Sequence, residues 1–428
     1  MRILFDIIYI MLSVAYLPAL LFTGKHRAGL RERCGFYPAD LKSRLGDNRP
    51  LLWLHAVSVG EMKAASSLIE QIRKIFPHYR ILLSTITPTG NAVARRLAGP
   101  DDAVIFFPFD LSFVVRRALS LFKPRLLLIM ETELWPNMIA EVSRRGIPSA
   151  VINGRISDKA FPRYRRLKYL FKPVVRALDL LCMQSAADAE RVISLGAERS
   201  RVRVAGNIKF DQVPAAPDKK IAGFRVEPGE LLIVAGSTHS GEEDILADVF
   251  CALRARYPGI RLALAPRHPH RAADIARMVE GRGLPACLMS VLGQNNAQCV
   301  PGCVFILDIM GVLQQLYCRA DIVFVGGSLV RHGGQNPIEP AACAKPVIFG
   351  PHMFNFSEIA ALFLSRNAAL RVRDRRELQQ AIEELLQDKQ KREQLSGRAH
   401  ALVQENQGSV HRIMEVLIEQ KFLLPQTR

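Results

Sequence analysis

The chain has 428 residues, 49% hydrophobic and 23% charged, a balance that excludes a mostly disordered, fibrous or polytopic membrane protein. Its length gives room for two or three domains with substantial cores. Fifty-eight basic against 40 acidic residues leave a net charge of +18, which favours a polyanionic partner: nucleic acid, anionic lipid or a phosphorylated substrate.

Residues 7–22 carry no charge, and Asp6 is the only charged residue between Ile3 and Phe22. Twenty helical residues reach about 30 Å, the thickness of a hydrocarbon core. A cleaved signal peptide would show a basic start, a shorter apolar run and a small-residue cleavage site. Here Arg2 is the only early cation, and TGKHRAGLRER follows Phe22. The pattern predicts an uncleaved membrane anchor over residues 1–24, with Lys25, Arg27, Arg31 and Arg33 keeping the following chain on the cytoplasmic side.

Beyond the anchor, short apolar runs alternate with amphipathic stretches, as in parallel sheets crossed by helices. Strands are predicted at 51–56, 81–86, 103–107, 125–130, 148–152 and 180–184, with helices between them such as 61–75 and 136–145. Residues 206–220 (GNIKFDQVPAAPDKK) break the pattern and read as a linker, dividing a first domain at 25–210 from a second at 211–428. Further strands are predicted at 231–237, 261–266, 304–308, 321–328 and 346–350, and residues 374–421 read as mostly helical. Two Rossmann-like α/β halves with a cleft between them account for this order. Eight scattered cysteines form no CxxC pair, so reduced thiols are expected.

In such sheets ligands bind beyond the carboxyl ends of the strands, where the unusual residues cluster. Glu61 follows the first strand and opens a helix, whose N-terminus favours its ionised form. It could take a proton from an attacking sugar hydroxyl, and it is equally a routine helix-capping choice. Glu131 and Glu133 end a wholly apolar strand, where they could orient substrate or cap the helix at Pro136. No Asp-x-Asp pair is present, and Arg267 and Arg271 flank His268-x-His270, so metal-independent chemistry is expected.

The second half reads as a site for a phosphorylated nucleotide. Gly236-Ser237-Thr238 follows a strand and precedes a helix, offering amides and hydroxyls to an oxyanion. Arg267 and His268 add donors, two Gly-Gly pairs permit close backbone approach, and Glu339 could accept bonds from ribose hydroxyls. Neither GxGxxG nor GxxxxGK[ST] occurs, which argues against a Rossmann dehydrogenase and a P-loop NTPase. Residues 155–176 carry eight cations and one acid beside four aromatic residues, a surface suited to anionic headgroups or simply to solvent. No recognition motif accompanies this charge, so nucleic acid is not the expected partner.

Taken in order, HAVSVGE, TPTG, ETELWPN, NGRIS, GNIKFD, GSTHSGEE, PRHPHR and GGSLVRHGGQNPIEPAA, preceded by RERCG, resemble the 3-deoxy-D-manno-octulosonic acid (Kdo) transferases of lipopolysaccharide synthesis. The resemblance implies a GT-B glycosyltransferase at the cytoplasmic face of the inner membrane. It implies inverting transfer of Kdo from CMP-Kdo to a lipid A precursor, with no metal or other cofactor. Glu61 corresponds to the family's general base, and Glu131 and Lys209 to positions that stabilise the transition state. Arg267 and His268, Met310, Gly311 and Val312, and Asn336, Pro337, Ile338 and Glu339 correspond to CMP-binding segments. Acceptor phosphates are expected near Arg31 and Arg33 and on the surface bearing Arg163, Arg165 and Arg166. The family commonly has Glu where Val312 stands and His where Gln335 stands. The competing readings are a GT-B transferase of membrane glycolipid using another nucleotide sugar, separable by CMP against UDP competition, and a membrane-tethered binding protein without turnover.

Overall fold

The computed structural model describes residues 5–7, 9–11, 28–38, 41, 49–158, 160–212, 224–292 and 302–425. The chain forms two compact units, Met1–Gln212 with Gln407–Arg428, and Val213–Asn406.

The first unit is built on seven parallel strands: β1 (Leu51–His55), β2 (Arg80–Thr85), β3 (Ala103–Phe106), β4 (Leu126–Met130), β5 (Ser149–Gly154), β6 (Leu180–Met183) and β7 (Val202–Val204). Their order is β3-β2-β1-β4-β5-β6-β7. Strands β1, β2, β4 and β5 are buried along their whole length. That burial is why they read as continuous apolar runs rather than alternating ones: helices cover both faces of the sheet. The helix Val59–Ile75 buries Met62, Ala65, Leu68, Ile69 and Ile72, one stripe at helical spacing. The order reverses between β1 and β4, which pair directly. This is the switch point at which open α/β sheets bind ligands.

The second unit repeats the plan with β8 (Leu231–Thr238), β9 (Ile260–Pro266), β10 (Ala286–Leu288), β11 (Val304–Ile306), β12 (Ile322–Val325), β13 (Val347–Phe349) and β14 (Leu370–Arg371). The order is β10-β11-β9-β8-β12-β13-β14, with the switch point between β8 and β12. Strands β7, β10 and β14 have no counterpart among the predicted ones. Each has two or three residues at or next to a sheet edge, too few for a hydrophobic period to show.

Two expectations are corrected. Residues 407–428, assigned from sequence to the second domain, belong to the first unit. The Asp211 carboxylate accepts hydrogen bonds from Gly408 N–H (2.7 Å) and Val410 N–H (2.6 Å), fixing the start of the helix Ser409–Glu419. That helix buries Val410, Ile413, Met414 and Leu417 in the core shared with Leu52 and Leu54. The front of the expected linker is also folded. Ile208 and Phe210 are buried in a short 3-10 turn over Ile208–Gln212, and residues 213–220 lie outside the described residues.

The expected anchor lies largely outside the described residues, which omit positions 1–4, 8 and 12–24. Of residues 1–24, positions 5–7 and 9–11 are described and helical, and no helix among the described residues is long and apolar enough to cross a membrane. Asp6 accepts hydrogen bonds from Ser112 N–H (2.8 Å), Ser112 Oγ (2.6 Å) and Asn137 Nδ2 (3.0 Å). It thereby fastens this segment to the starts of the helices Ser112–Phe122 and Pro136–Arg144. Lastly, Cys318 and Cys343 form a disulfide (Cα–Cα 4.9 Å) where reduced thiols were expected. They meet because the helices Leu313–Arg319 and Ile338–Ala342 pack together.

Candidate active site

At the first unit's switch point β1 runs into the helix Val59–Ile75 through Ser58, whose Oγ accepts the Glu61 N–H at 3.4 Å. The Glu61 carboxylate reaches back to accept Val57 N–H (2.7 Å) and Ser58 Oγ–H (2.9 Å). This reciprocal capping box satisfies helix-end donors and fixes the carboxylate at the strand end. Glu61 therefore fills the capping reading of its position. Burial pushes its carboxyl up to about 7; the Val57 N–H bond opposes this, Glu131 adds to it, Ser58 opposes it and Glu133 adds to it. A carboxyl that titrates near neutrality can both release and take up a proton at neutral pH.

Glu131 follows β4, the neighbour of β1, and has φ +55, the left-handed region that non-glycine residues rarely occupy. Such strain persists where the surrounding structure enforces it. Its carboxylate lies 3.6 Å from Lys209 Nζ. Lys209 is placed by residues to which the sequence assigned no role. Asn153, fully buried at the end of β5 with φ +57, accepts Ile208 N–H on Oδ1 (3.1 Å). Gln184 Nε2 donates to Asn153 O (3.0 Å), and Gln184 Oε1 accepts from Asn207 Nδ2 (2.9 Å). Asn207 Oδ1 in turn accepts Lys209 N–H (3.0 Å). The signal was present in NGR and GNIK as polar groups at strand ends, but their mutual bonding spans more than fifty residues of sequence. Glu133 is also pushed up, by burial and then by Glu131. His55, in the same motif as Glu61, is fully buried, stacks on Phe107 (3.8 Å) and bonds Ser84 Oγ through Nδ1 (3.0 Å); burial lowers it to about 3, so it is a neutral core residue.

In the second unit β11, β9, β8 and β12 are successive neighbours, so the loops after their carboxyl ends stand side by side. Glu242 organises two of them. Its buried carboxylate accepts N–H bonds from His239 (2.9 Å), Gly327 (2.6 Å), Ser328 (2.9 Å) and Leu329 (2.9 Å). Glu243 receives Thr238 Oγ1 (2.9 Å) and both terminal nitrogens of Arg271 (2.8 and 3.2 Å). A Cβ at Gly326 would lie 2.6 Å from Ser237 O and Thr238 Cα, so only glycine lets the two loops approach. Removing the Glu242 carboxylate leaves four buried donors unpaired. Glu242→Ala should destabilise the second unit by about 3–5 kcal/mol, measured as an earlier denaturant midpoint for that unit with the first unit's transition unchanged.

The predicted donor residues divide accordingly. Ser237 (φ +55) is partly accessible at the tip of β8, whereas Thr238 is buried with its hydroxyl committed to Glu243, so it is corrected from ligand to loop support. Arg267 and His268 are exposed after β9, with Arg267 N–H on Thr238 O (2.9 Å). Met310 is 75% exposed, Gly311 has φ +85, and Val312 opens the helix Leu313–Arg319. Asn336 accepts Ile338 N–H (3.1 Å) and donates to Glu339 Oε1 (3.2 Å). Pro337 starts the helix Ile338–Ala342, and the Ile338 side chain is fully buried, which leaves it only backbone to offer a ligand.

Among the acceptor-side cations Arg31 is exposed, and Arg163, Arg165 and Arg166 are exposed on the helix Phe161–Arg166. Arg33 is corrected. It is 5% exposed, donates to Ala28 O (3.3 Å) and Ile86 O, and lies over the Phe106 ring at 4.8 Å, so its guanidinium is consumed by the fold. Among the described residues no group of three or more His, Cys, Asp or Glu could hold a metal ion.

A family model for 3-deoxy-D-manno-octulosonic-acid transferase (kdotransferase) matches residues 28–212, and a glycosyl transferase-like model matches residues 312–418. The chain is 35% identical over 400 residues to a 3-deoxy-D-manno-octulosonic acid transferase of Haemophilus influenzae, covering 92% of this chain and 91% of that protein. It is 32% identical to the transferase of the same name from Bordetella pertussis, covering 86% of each. In fold it is similar to a UDP-GlcNAc 2-epimerase of Neisseria meningitidis, with a TM-score of 0.57 at 11% identity, over 86% of this chain and 100% of that one.

Proposed function

Because the chain belongs to the 3-deoxy-D-manno-octulosonic acid (Kdo) transferase family, we propose that it transfers Kdo from CMP-Kdo to a lipid A precursor and releases CMP. The observation that carries the catalytic reading is the Glu61 carboxyl, raised to about 7 at the switch point and in electrostatic reach of Glu131, whose partner is Lys209. Ionised Glu61 takes the proton of the acceptor hydroxyl as its oxygen attacks the anomeric carbon. Attack opposite the departing phosphate inverts that centre. Positive character builds on the sugar and negative charge on the CMP phosphate; a carboxylate such as Glu131 opposes the first and an ammonium such as Lys209 the second. No step needs a metal ion or another cofactor.

The donor is assigned to the second unit, with Ser237, Arg267, His268, Gly311 and the segment Asn336–Glu339 as its contacts. Gly311 and Val312 contribute backbone only, since Val312 has no carboxylate to offer. The acceptor is assigned to the first unit, at the cytoplasmic face of the inner membrane. Supporting this are the exposed cations Arg163, Arg165 and Arg166 beside Tyr169, which is 91% exposed, and the exposed Ile7, Ile10 and Met11 of the segment fastened by Asp6. Replacing the three arginines together by alanine should raise the acceptor KM by about 10-fold or more, from the loss of charge-assisted phosphate bonds, and leave the donor KM unchanged; a change in donor KM instead would relocate the acceptor.

Purified protein given CMP-Kdo, a tetraacylated lipid A precursor and a chelator should yield product with the added Kdo mass, the mass also counting the sugars transferred. Competition by CMP but not UDP separates this reading from transfer of another nucleotide sugar. Absence of product from folded, membrane-reconstituted protein would refute it.

A further inference from the structure

Around His268 the second unit holds three further histidines that the nucleotide contacts leave unexplained: His239, His270 and His332. His239, at the end of β8, stacks on His332 with ring centroids 4.1 Å apart and planes 13° from parallel. His268 meets His239 edge-on at 6.0 Å, and His270 lies 5.6 Å beyond His268. Gln335 Nε2 lies 3.2 Å from His239 Nε2. An amide nitrogen only donates, so His239 Nε2 accepts and its own proton sits on Nδ1. The place is built rather than incidental: Glu242 bonds the backbone N–H of both His239 and Gly327, and a Cβ on Gly327 would come within 3.2 Å of the His239 ring.

The charges around this imidazole are lopsided. Burial, then His332, His268, Arg267 and Arg271 depress His239 to about 4, so it is neutral at cytoplasmic pH. The nearby carboxylates of Glu242 and Glu243 are already consumed, the first by four backbone donors and the second by Thr238 and Arg271. Such crowding of cation-capable groups is relieved by an incoming anion. The proposed donor is a nucleotide ester of a sugar acid and brings two anionic groups, a phosphate and a carboxylate.

Resting on the transferase reading, we infer that His239, stacked on His332 and oriented by Gln335, forms with Arg267 the subsite that binds the carboxylate of the donor sugar. The His239 Nδ1–H supplies a directed donor and Arg267 the charge, so a neutral sugar of similar shape leaves both unanswered. Discrimination against sugars lacking the acid group follows, because an unpaired donor in a partly buried site costs more than a lost apolar contact. Gln335 then fixes the tautomer of His239 without adding a titrating group.

The test compares the KM for CMP-Kdo with the inhibition constant of CMP, which lacks the sugar acid, in wild type, His239→Ala, His239→Asn and His332→Ala. His239→Ala should raise the CMP-Kdo KM by about 10–100-fold while CMP inhibition stays within about twofold, the unchanged CMP site serving as the folding control. His239→Asn, whose Nδ2 takes the place of Nδ1, should recover most of the loss, and His332→Ala should shift the KM in the same direction by less. Equal weakening of CMP and CMP-Kdo in His239→Ala, or no change in either, overturns the subsite and leaves the transferase standing. Wild-type protein that binds CMP but not CMP-Kdo overturns both.

Discussion

Glu61→Gln is expected to lower kcat by about 10²–10⁴-fold, the usual contribution of a positioned general base, with the donor KM changed little. The amide oxygen can keep the Val57 N–H bond while its NH2 donates to Ser58 Oγ in place of the bond that Ser58 donated, so the helix cap survives and the loss reports proton transfer. In wild type the ionised form is the active one, so kcat/KM should fall about tenfold per pH unit below the pKa near 7 and level off above it. A stability measurement distinguishes base from cap independently. Folding favours neutral Glu61, so its contribution is fully present below the ordinary value of 4.5 and is lost as pH rises through about 7. Above that the folded protein bears a cost on the order of 3 kcal/mol that glutamine does not. Glu61→Gln should therefore be more stable than wild type at pH 8 and nearly equal at pH 4 to 5 in chemical denaturation. A variant less stable at pH 8 would make Glu61 a cap alone.

Lys209→Met is expected to cost about 10²–10³-fold in kcat, the scale of removing one preorganised charge from a transition state. It also leaves Glu131 without its ammonium partner. The freed carboxylate should raise Glu61 further, moving the acid limb of the pH–rate profile upward; Glu131→Gln should move it downward, because Glu131 is one of the groups raising Glu61. Opposite shifts from the two variants are the signature of the coupled trio, and a common shift would show that they act separately. Asn207→Ala, which removes the acceptor for the Lys209 N–H, should reproduce part of the Lys209→Met loss without changing the charge count.

Much of the architecture was legible because parallel strands covered on both faces are apolar runs, and β1, β2, β4 and β5 are fully buried. Glu61 and Glu131 stood out as polar residues where such runs end, and Lys209 only through the resemblance of GNIKFD to the family's motif. Which polar residues serve the fold could not be read the same way. Glu243 pairs with Arg271 28 residues on, Glu242 spans to a loop 85 residues away, and Arg33 lies over Phe106. Each is a long-range pairing, and a sequence read in local windows gives a polar strand-end residue the same appearance whether it faces ligand or another loop. The relay from Asn153 through Gln184 and Asn207 to Lys209 was hidden for the same reason. The last helix was misplaced because its apolar stripe is equally suited to either sheet; the Asp211 carboxylate decides.

That final helix makes the second unit an insertion within the first. During synthesis the chain leaves the ribosome in order, so every residue of the second unit emerges before Val410, Ile413, Met414 and Leu417 do. The second unit can fold as soon as it is complete, whereas the first waits with an apolar face over Leu52 and Leu54 open to water until the end of translation. A chain halted once residue 406 has cleared the ribosome, but before the last helix has, would thus carry a second unit already formed and a first unit still unsealed, and a chaperone following this chain would find its binding surface on the part synthesised first.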